Sequence, residues 1–283
     1  MKQITLLGIL LIGFACSRQV IRTPNEVRVL RTGTLMEMNS EEFLVSNNSW
    51  NLKTTLHFKF YFDQSISQEF REKIMNAQET NFSEIAKLMG MDENLLDKIK
   101  FWVFKDREQK KLITLVDSDA HAISTFPSVY YLPKNATGGQ EVGHVMTQAY
   151  WGFIPKTSNY SLVIDEGFNY YIDDDRFYDG RLFQYAKEVK KESKEISILK
   201  LVIADNGEKL EGADSGSHNQ DKSFLAGGFV KYLIETYGVE EFGKLWKSAV
   251  ENPTAKTEIF KQVYGKDLQE INSEFENKLE AGS

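Results

Sequence analysis

Hydrophobic and polar positions alternate most clearly at LHFKFYF, 56–62, where Leu56, Phe58, Phe60 and Phe62 share one face and His57, Lys59 and Tyr61 the other. That period of two predicts a half-buried strand. After Asp63 the period lengthens: Phe70, Ile74, Ala77, Asn81, Ile85 and Leu88 recur at helical spacing, and Gly90 is a natural stop. One long amphipathic helix over about 66–89 follows. Ile99 to Phe104 reads as a second strand, and Leu112 to Val116, Ala122 to Phe126 and Val129 to Leu132 as three short ones. The helical period returns over 137–151, with Val142, Val145, Met146 and Ala149 on its buried side.

From Leu162 to Ile172 almost every position is apolar or aromatic except Asp165, Glu166 and Asn169, so a helix here is enclosed on most sides. A carboxylate in such a place needs a partner. Tyr178 to Ser193 reads as a helix, Ile196 to Ile203 as a short helix or strand, and 223–249 and 259–279 as a helical tail. Fold class is therefore α+β, with a small mixed sheet and one long helix first and a mostly helical lobe from about 157 onward. The expected division is 1–15, 16–55, 56–156 and 157–283, with a cleft between the last two.

Within 137–172 the polar residues carry candidate chemistry. In a helix Gln140 and His144 lie one turn apart on one face with Glu141 beside them, the spacing of H-E-x-x-H, in which two His hold zinc and Glu activates water. Here the first His is Gln. The run QEVGH, followed 22 residues after its His by Glu166 of DEGFNYY, resembles the gluzincin metallopeptidases, and SFLAGGFVKYLIETYG and IFKQVYG resemble the helical tail of their peptidase MA-like branch. The resemblance covers roughly 56–279. It implies a zincin-like fold, His144 and Glu166 as zinc ligands with Gln140 at the degenerate position, and Glu141 as general base. It also implies that Ser128 to Leu132 is the edge strand along the cleft, with Val129, Tyr130 and Tyr131 against a peptide or protein ligand.

A neutral Gln is a poor zinc ligand, so zinc is expected to be weakly held or absent. Two function classes stay open: a metallopeptidase with an altered site, and an inactive pseudopeptidase that binds a peptide, glycan or protein. His121 and His218 read as loop histidines, with recruitment as a replacement ligand as the alternative; His57 reads as a surface or cross-strand residue. Phe224 stands near where related enzymes often have a Tyr that steadies an oxyanion, and Phe has no hydroxyl to donate. Asp173, Asp174 and Asp175 read as a solvated helix end.

At the start, Met1 and Lys2 precede an apolar run from Ile4 to Ala15 that suits a signal-peptide core and ends at Cys16, the only cysteine. That arrangement resembles a bacterial lipoprotein cleavage site, which implies lipidation at Cys16 and a membrane-anchored, extracytoplasmic protein. No other apolar run approaches membrane-spanning length. A net charge of −7, with no basic block beyond Lys190, Lys191 and Lys194, speaks against a nucleic-acid partner.

Overall fold

The computed structural model describes residues 49–123, 127–155, 160–193, 196–203, 216–255 and 257–281, with Ser158 and short pieces at 21–23, 26–28, 41 and 44–45. Two short strands, β1 (Ile21–Thr23) and β2 (Glu26–Arg28), pair antiparallel. The main sheet follows: β3 (Trp50–Thr54), β4 (Phe58–Asp63), β5 (Ile99–Val103), β6 (Ala120–Ile123) and β7 (Ser128–Tyr131). Its order is β3-β4-β5-β7-β6, parallel through β4, β5 and β7, and antiparallel at both edges.

The alternation in β4 works as expected on one face, where Phe58, Phe60 and Phe62 join Phe101, Val103, Val129 and Tyr131 in the main core. The other face is also covered. Tyr61 stacks on Trp102 at 3.8 Å, and Trp50, Phe104, Tyr130 and Ile113 close a second core there. Leu56 precedes the strand and is 74% exposed.

Helix α1 (Gln68–Met89) crosses the first face. Ser67 caps its start by accepting from the Phe70 N–H, and Gly90, at φ 64°, ends it in the left-handed region as the sequence predicted. Helix α2 (Arg107–Thr114) stands where a strand at 112–116 was expected. Asp106 caps it through the Gln109 N–H, and a local cap of this kind outweighs the β preference of Ile113 and Thr114. Its Lys110 is fully buried, with the ammonium donating to the Ser118 carbonyl and hydroxyl, both at 3.0 Å.

Burial pulls the Lys110 pKa down to about 8, against the raising pull of Glu141 and Asp119. An unfolded Lys titrates near ~10.4, so between about 8 and 10 the unfolded chain binds more protons and stability rises with pH. Lys110→Met is expected to flatten that rise and to stabilise the protein at neutral pH by about 1–3 kcal/mol, since a buried charge gives way to a similar apolar volume. Denaturant titrations at pH 7 and pH 9 check it; an undiminished rise in the variant would assign it to another group.

After β7 come α3 (Gln140–Trp151), a wide π turn over Ser161–Glu166, and α4 (Gly167–Ile172), which continues it. The remainder is helical: α5 (Asp174–Phe177), α6 (Leu182–Glu192), α7 (Ile198–Ile203), α8 (Gly216–Tyr237), α9 (Val239–Glu251), α10 (Glu258–Tyr264) and α11 (Leu268–Ala281). The α+β architecture is thus the expected one. The main core runs without a break from the sheet through α3 and the π turn into α8, α9 and α11.

Candidate functional site

Helix α3 starts at the carboxyl end of β7, and its first turn is capped from a distance. Asp173 Oδ1 accepts from the Gly139 N–H at 3.0 Å. The Tyr131 hydroxyl accepts from the Glu141 N–H at 3.2 Å and donates to the Gly138 carbonyl at 3.2 Å. Helix starts leave such N–H groups without intrahelical partners. Asp173 and Asp174, expected to be solvated, are 2% and 4% exposed, and Asp175 is exposed. The expectation failed because each buried acid has a donor from another element: Asp174 takes the Leu182 N–H at 3.0 Å and Lys231 Nζ at 2.7 Å.

One glycine brings α3 and α4 together. A Cβ on Gly143 would run into the end of the Ile172 side chain and lie 3.0 Å from Asn169 Oδ1, so α3 and α4 approach so closely that a larger residue there must push Ile172 aside. That approach puts His144 against the end of the π turn. Its Nδ1 lies 3.0 Å from Asp165 Oδ1 and its Nε2 lies 3.2 Å from Glu166 Oε2. Asn169 Nδ2 donates to the Asp165 carbonyl at 2.7 Å and touches the imidazole at 2.8 Å from Nδ1. Burial works against a charge on His144, but the two carboxylates outweigh it and hold its pKa well above the ordinary value. The ring thus sits between two acids that favour its charged form. Of those acids Asp165 is the enclosed one, with its side chain 8% exposed against 44% for Glu166, the reverse of what the apolar surroundings of Glu166 in the sequence suggested.

Gln140 is committed elsewhere: its Nε2 donates to the Tyr178 hydroxyl at 3.2 Å. Tyr178 stacks on Tyr170 at 5.4 Å, and Phe224 sits edge-on to both, stacked in turn on Tyr185. The position considered for an oxyanion Tyr is thus part of an aromatic cluster whose hydroxyl nearest Gln140 comes from Tyr178. Between these parts lies a pocket of about 250 Å³, lined by Glu141, Gln140, Asp173, Tyr131, Tyr178 and Asn135 among others. His144 and Glu166 are not in its wall.

Other expectations need correction. Ser128 to Leu132 is not the edge: β7, with Val129, Tyr130 and Tyr131, lies between β5 and β6, because 120–123 fold back antiparallel onto it. β6 is the edge strand on that side of the sheet, and β3 is the other edge. His121 lies in β6 opposite Tyr130, on whose ring it stacks at 4.5 Å. Tyr130 belongs to the second core, while Tyr131 faces α3, so the sheet separates His121 from Gln140. His218 falls in the first turn of α8, and its side chain lies outside the described residues. His57 is held by Glu79 Oε2 at 2.6 Å and stacked on Phe82, far from a solvated surface role. Cys16 lies outside the described residues.

Asp165, Asn169, Asp173 and Tyr178 were missed as site residues. Asp165 and Asn169 were visible as the polar exceptions in an apolar stretch; Asp173 and Tyr178 had no local signal. Zinc peptidases hold their ion with three protein ligands and keep a fourth position open. Among the described residues no group of three or more His, Cys, Asp or Glu side chains could hold a metal. His144 and Glu166 supply two donors, Gln140 is turned to Tyr178, and the set does not fit a zinc peptidase centre. Compared with models of known protein families and with curated proteins, the sequence matches none.

Proposed function

We propose that this chain is a gluzincin-like pseudopeptidase that binds an extended peptide beside α3 without cleaving it. The observation that carries the reading is the commitment of Gln140 to Tyr178 while His144 is clamped between Asp165 and Glu166. With that ligand position gone, no third donor among the described residues completes the set. What supports a peptide is the terminal position of β6, where an extended chain can add to the sheet beyond Ala120, whose carbonyl accepts from the Ser118 hydroxyl at 2.7 Å, and Ala120 also lines the pocket.

Calorimetry with acetylated pentapeptides in the presence of a chelator tests this. Binding is expected without zinc, with the peptide recovered uncut, and with N-methylation of alternate peptide amides abolishing it. One zinc per purified chain together with cleavage would refute the reading. That competing reading, a peptidase with a weakened zinc site, has one observation in its favour: His144 and Glu166 stand 3.2 Å apart, with Asp165 on the other ring nitrogen, and a metal-bound His commonly gives its second N–H to a carboxylate.

We also propose that a lipid on Cys16 holds the protein at a bacterial membrane. Among the described residues no helix is long and apolar enough to cross a membrane. Fatty-acid labelling that is lost in Cys16→Ser supports the anchor, and absence of label from the natural chain removes it.

A further inference from the structure

We infer that β3 is a self-association edge: the β3 of a second copy of this chain adds to it antiparallel, about a twofold axis at Leu52, and joins the two five-stranded sheets into one. Among the described residues β3 pairs with β4 alone, so its outer side ends the sheet. Lys53 and Thr54 are exposed, and Leu52, at the middle of the strand, is 51% exposed. An edge of this kind is a template for another strand. It is also held ready: Glu79 Oε1 accepts from the His57 N–H at 3.0 Å and Lys98 Nζ donates to the Leu56 carbonyl at 2.9 Å, which fixes the turn that joins β3 to β4.

The register follows from the hydrogen bonds on the inner side. The Thr55 N–H donates to the Phe58 carbonyl at 3.0 Å, and Thr54 stands opposite Lys59. Backbone groups of an antiparallel strand turn alternately to its two neighbours, so Asn51 and Lys53 bond to β4, while Trp50, Leu52 and Thr54 point their N–H and C=O groups outward. A twofold axis at Leu52 sets Leu52 opposite its own copy and Trp50 opposite the partner's Thr54, so every outward residue of the strand exchanges both bonds. An axis at Lys53 engages only Leu52 and Thr54 and sets two ammonium groups directly opposite, which is destabilising; an axis at Asn51 engages only Trp50 and Leu52. With the axis at Leu52, the one charge of WNLKT faces the neutral Asn51 of the partner subunit. Leu52 stands opposite Tyr61 and shares its face, so the two leucines meet beside the second core and carry it across the axis. Matching itself in hydrogen bonds, charge and apolar contact, the strand favours a second copy over an unrelated one. Five residues span about 17 Å, a small contact, so the association is weak and reversible.

Trapping the register by disulfide tests this. Full-length Asn51→Cys and Lys53→Cys chains, each also carrying Cys16→Ser and a tag of its own length, are mixed and oxidised. Positions 51 and 53 of the two copies form the closer, non-hydrogen-bonded pair, with Cα atoms ~4.5 Å apart and within disulfide reach, whereas like positions stand diagonally at ~7–8 Å. Mixed dimers are expected to exceed either like dimer at least ~10-fold, because only they meet that geometry. Leu52→Lys in both chains sets like charges opposite each other on the axis and is expected to cut the mixed dimer at least ~10-fold. Mixed and like dimers in the proportions of chance encounter overturn the inference, as does the absence of any cross-linked dimer. A mixed-dimer yield unchanged by Leu52→Lys, with the fold intact by circular dichroism, overturns it as well. The first comparison keeps Leu52 and stands whether or not the lysine variant folds.

Discussion

Zinc affinity is expected to rise at least ~100-fold when Gln140 is replaced by His. Loss of a partner one shell away from a metal typically costs ~10–100-fold, and a direct ligand is worth more, so ~2.8 kcal/mol is a lower bound at tenfold per ~1.4 kcal/mol. Two of the three donors that such a site needs already stand together. His144 Nε2 and Glu166 Oε2 are 3.2 Å apart, close to the separation of two donors each ~2.0–2.1 Å from a tetrahedral ion, and Asp165 holds the far side of the ring. Zinc competes with a proton for His144 in both proteins, so both affinities rise with pH. Competition against a chromophoric chelator measures it, and adding Glu166→Ala should erase it. Equal affinity in the natural and substituted proteins would mean that a residue outside the described set already completes the site, since His121 faces the other side of the sheet.

The second large effect concerns packing. A Cβ on Gly167 would lie 2.8 Å from the Ala226 carbonyl oxygen and 2.9 Å from its carbon. These are backbone atoms of α8, which cannot swing aside as a side-chain end can. Gly167→Ala should therefore destabilise by about 3 kcal/mol, at the top of the usual range for overpacking, and lower Tm by about 6–12 °C for a chain of this size. Gly143→Ala meets mainly the end of the Ile172 side chain, which can rotate, and about 1 kcal/mol is expected there. Thermal unfolding of the two variants compares them directly; an unchanged Tm for Gly167→Ala would show that α8 yields at no cost.

Legibility in the sequence followed locality. α1, β4, β5 and the site helix were readable because each carries its own period and, for α1, its own cap and stop. The region 107–123 was not, since Ile113 and Thr114 favour a strand while the Asp106 cap favours a helix, and eight residues give too short a pattern to decide. The strand order was hidden for another reason: nothing in SVYY says which neighbour pairs with it. At the site, residues one turn apart announced themselves, and His144 and Glu166 do meet. Tyr178 and Asp173 did not, because their partners Gln140 and Gly139 are more than thirty residues away. Spacing also could not show that Gln140 would be taken by a phenol.

The π turn at Ser161–Glu166 has a bearing on inheritance of the site. An i→i+5 turn holds one residue more than an α turn, so it sets the phase of the helix that leaves it. Were the turn to relax to regular α geometry with every residue kept, Glu166 would rotate by roughly 90° around the axis, away from the imidazole it now faces, whereas relaxation with one residue lost would leave its phase nearly unchanged. The meeting of acid and histidine is thus written in the count of residues as much as in their identities. Substitutions can drift through SLVI with the register intact, whereas a change in its length keeps the pair together only where the width of the turn changes to match.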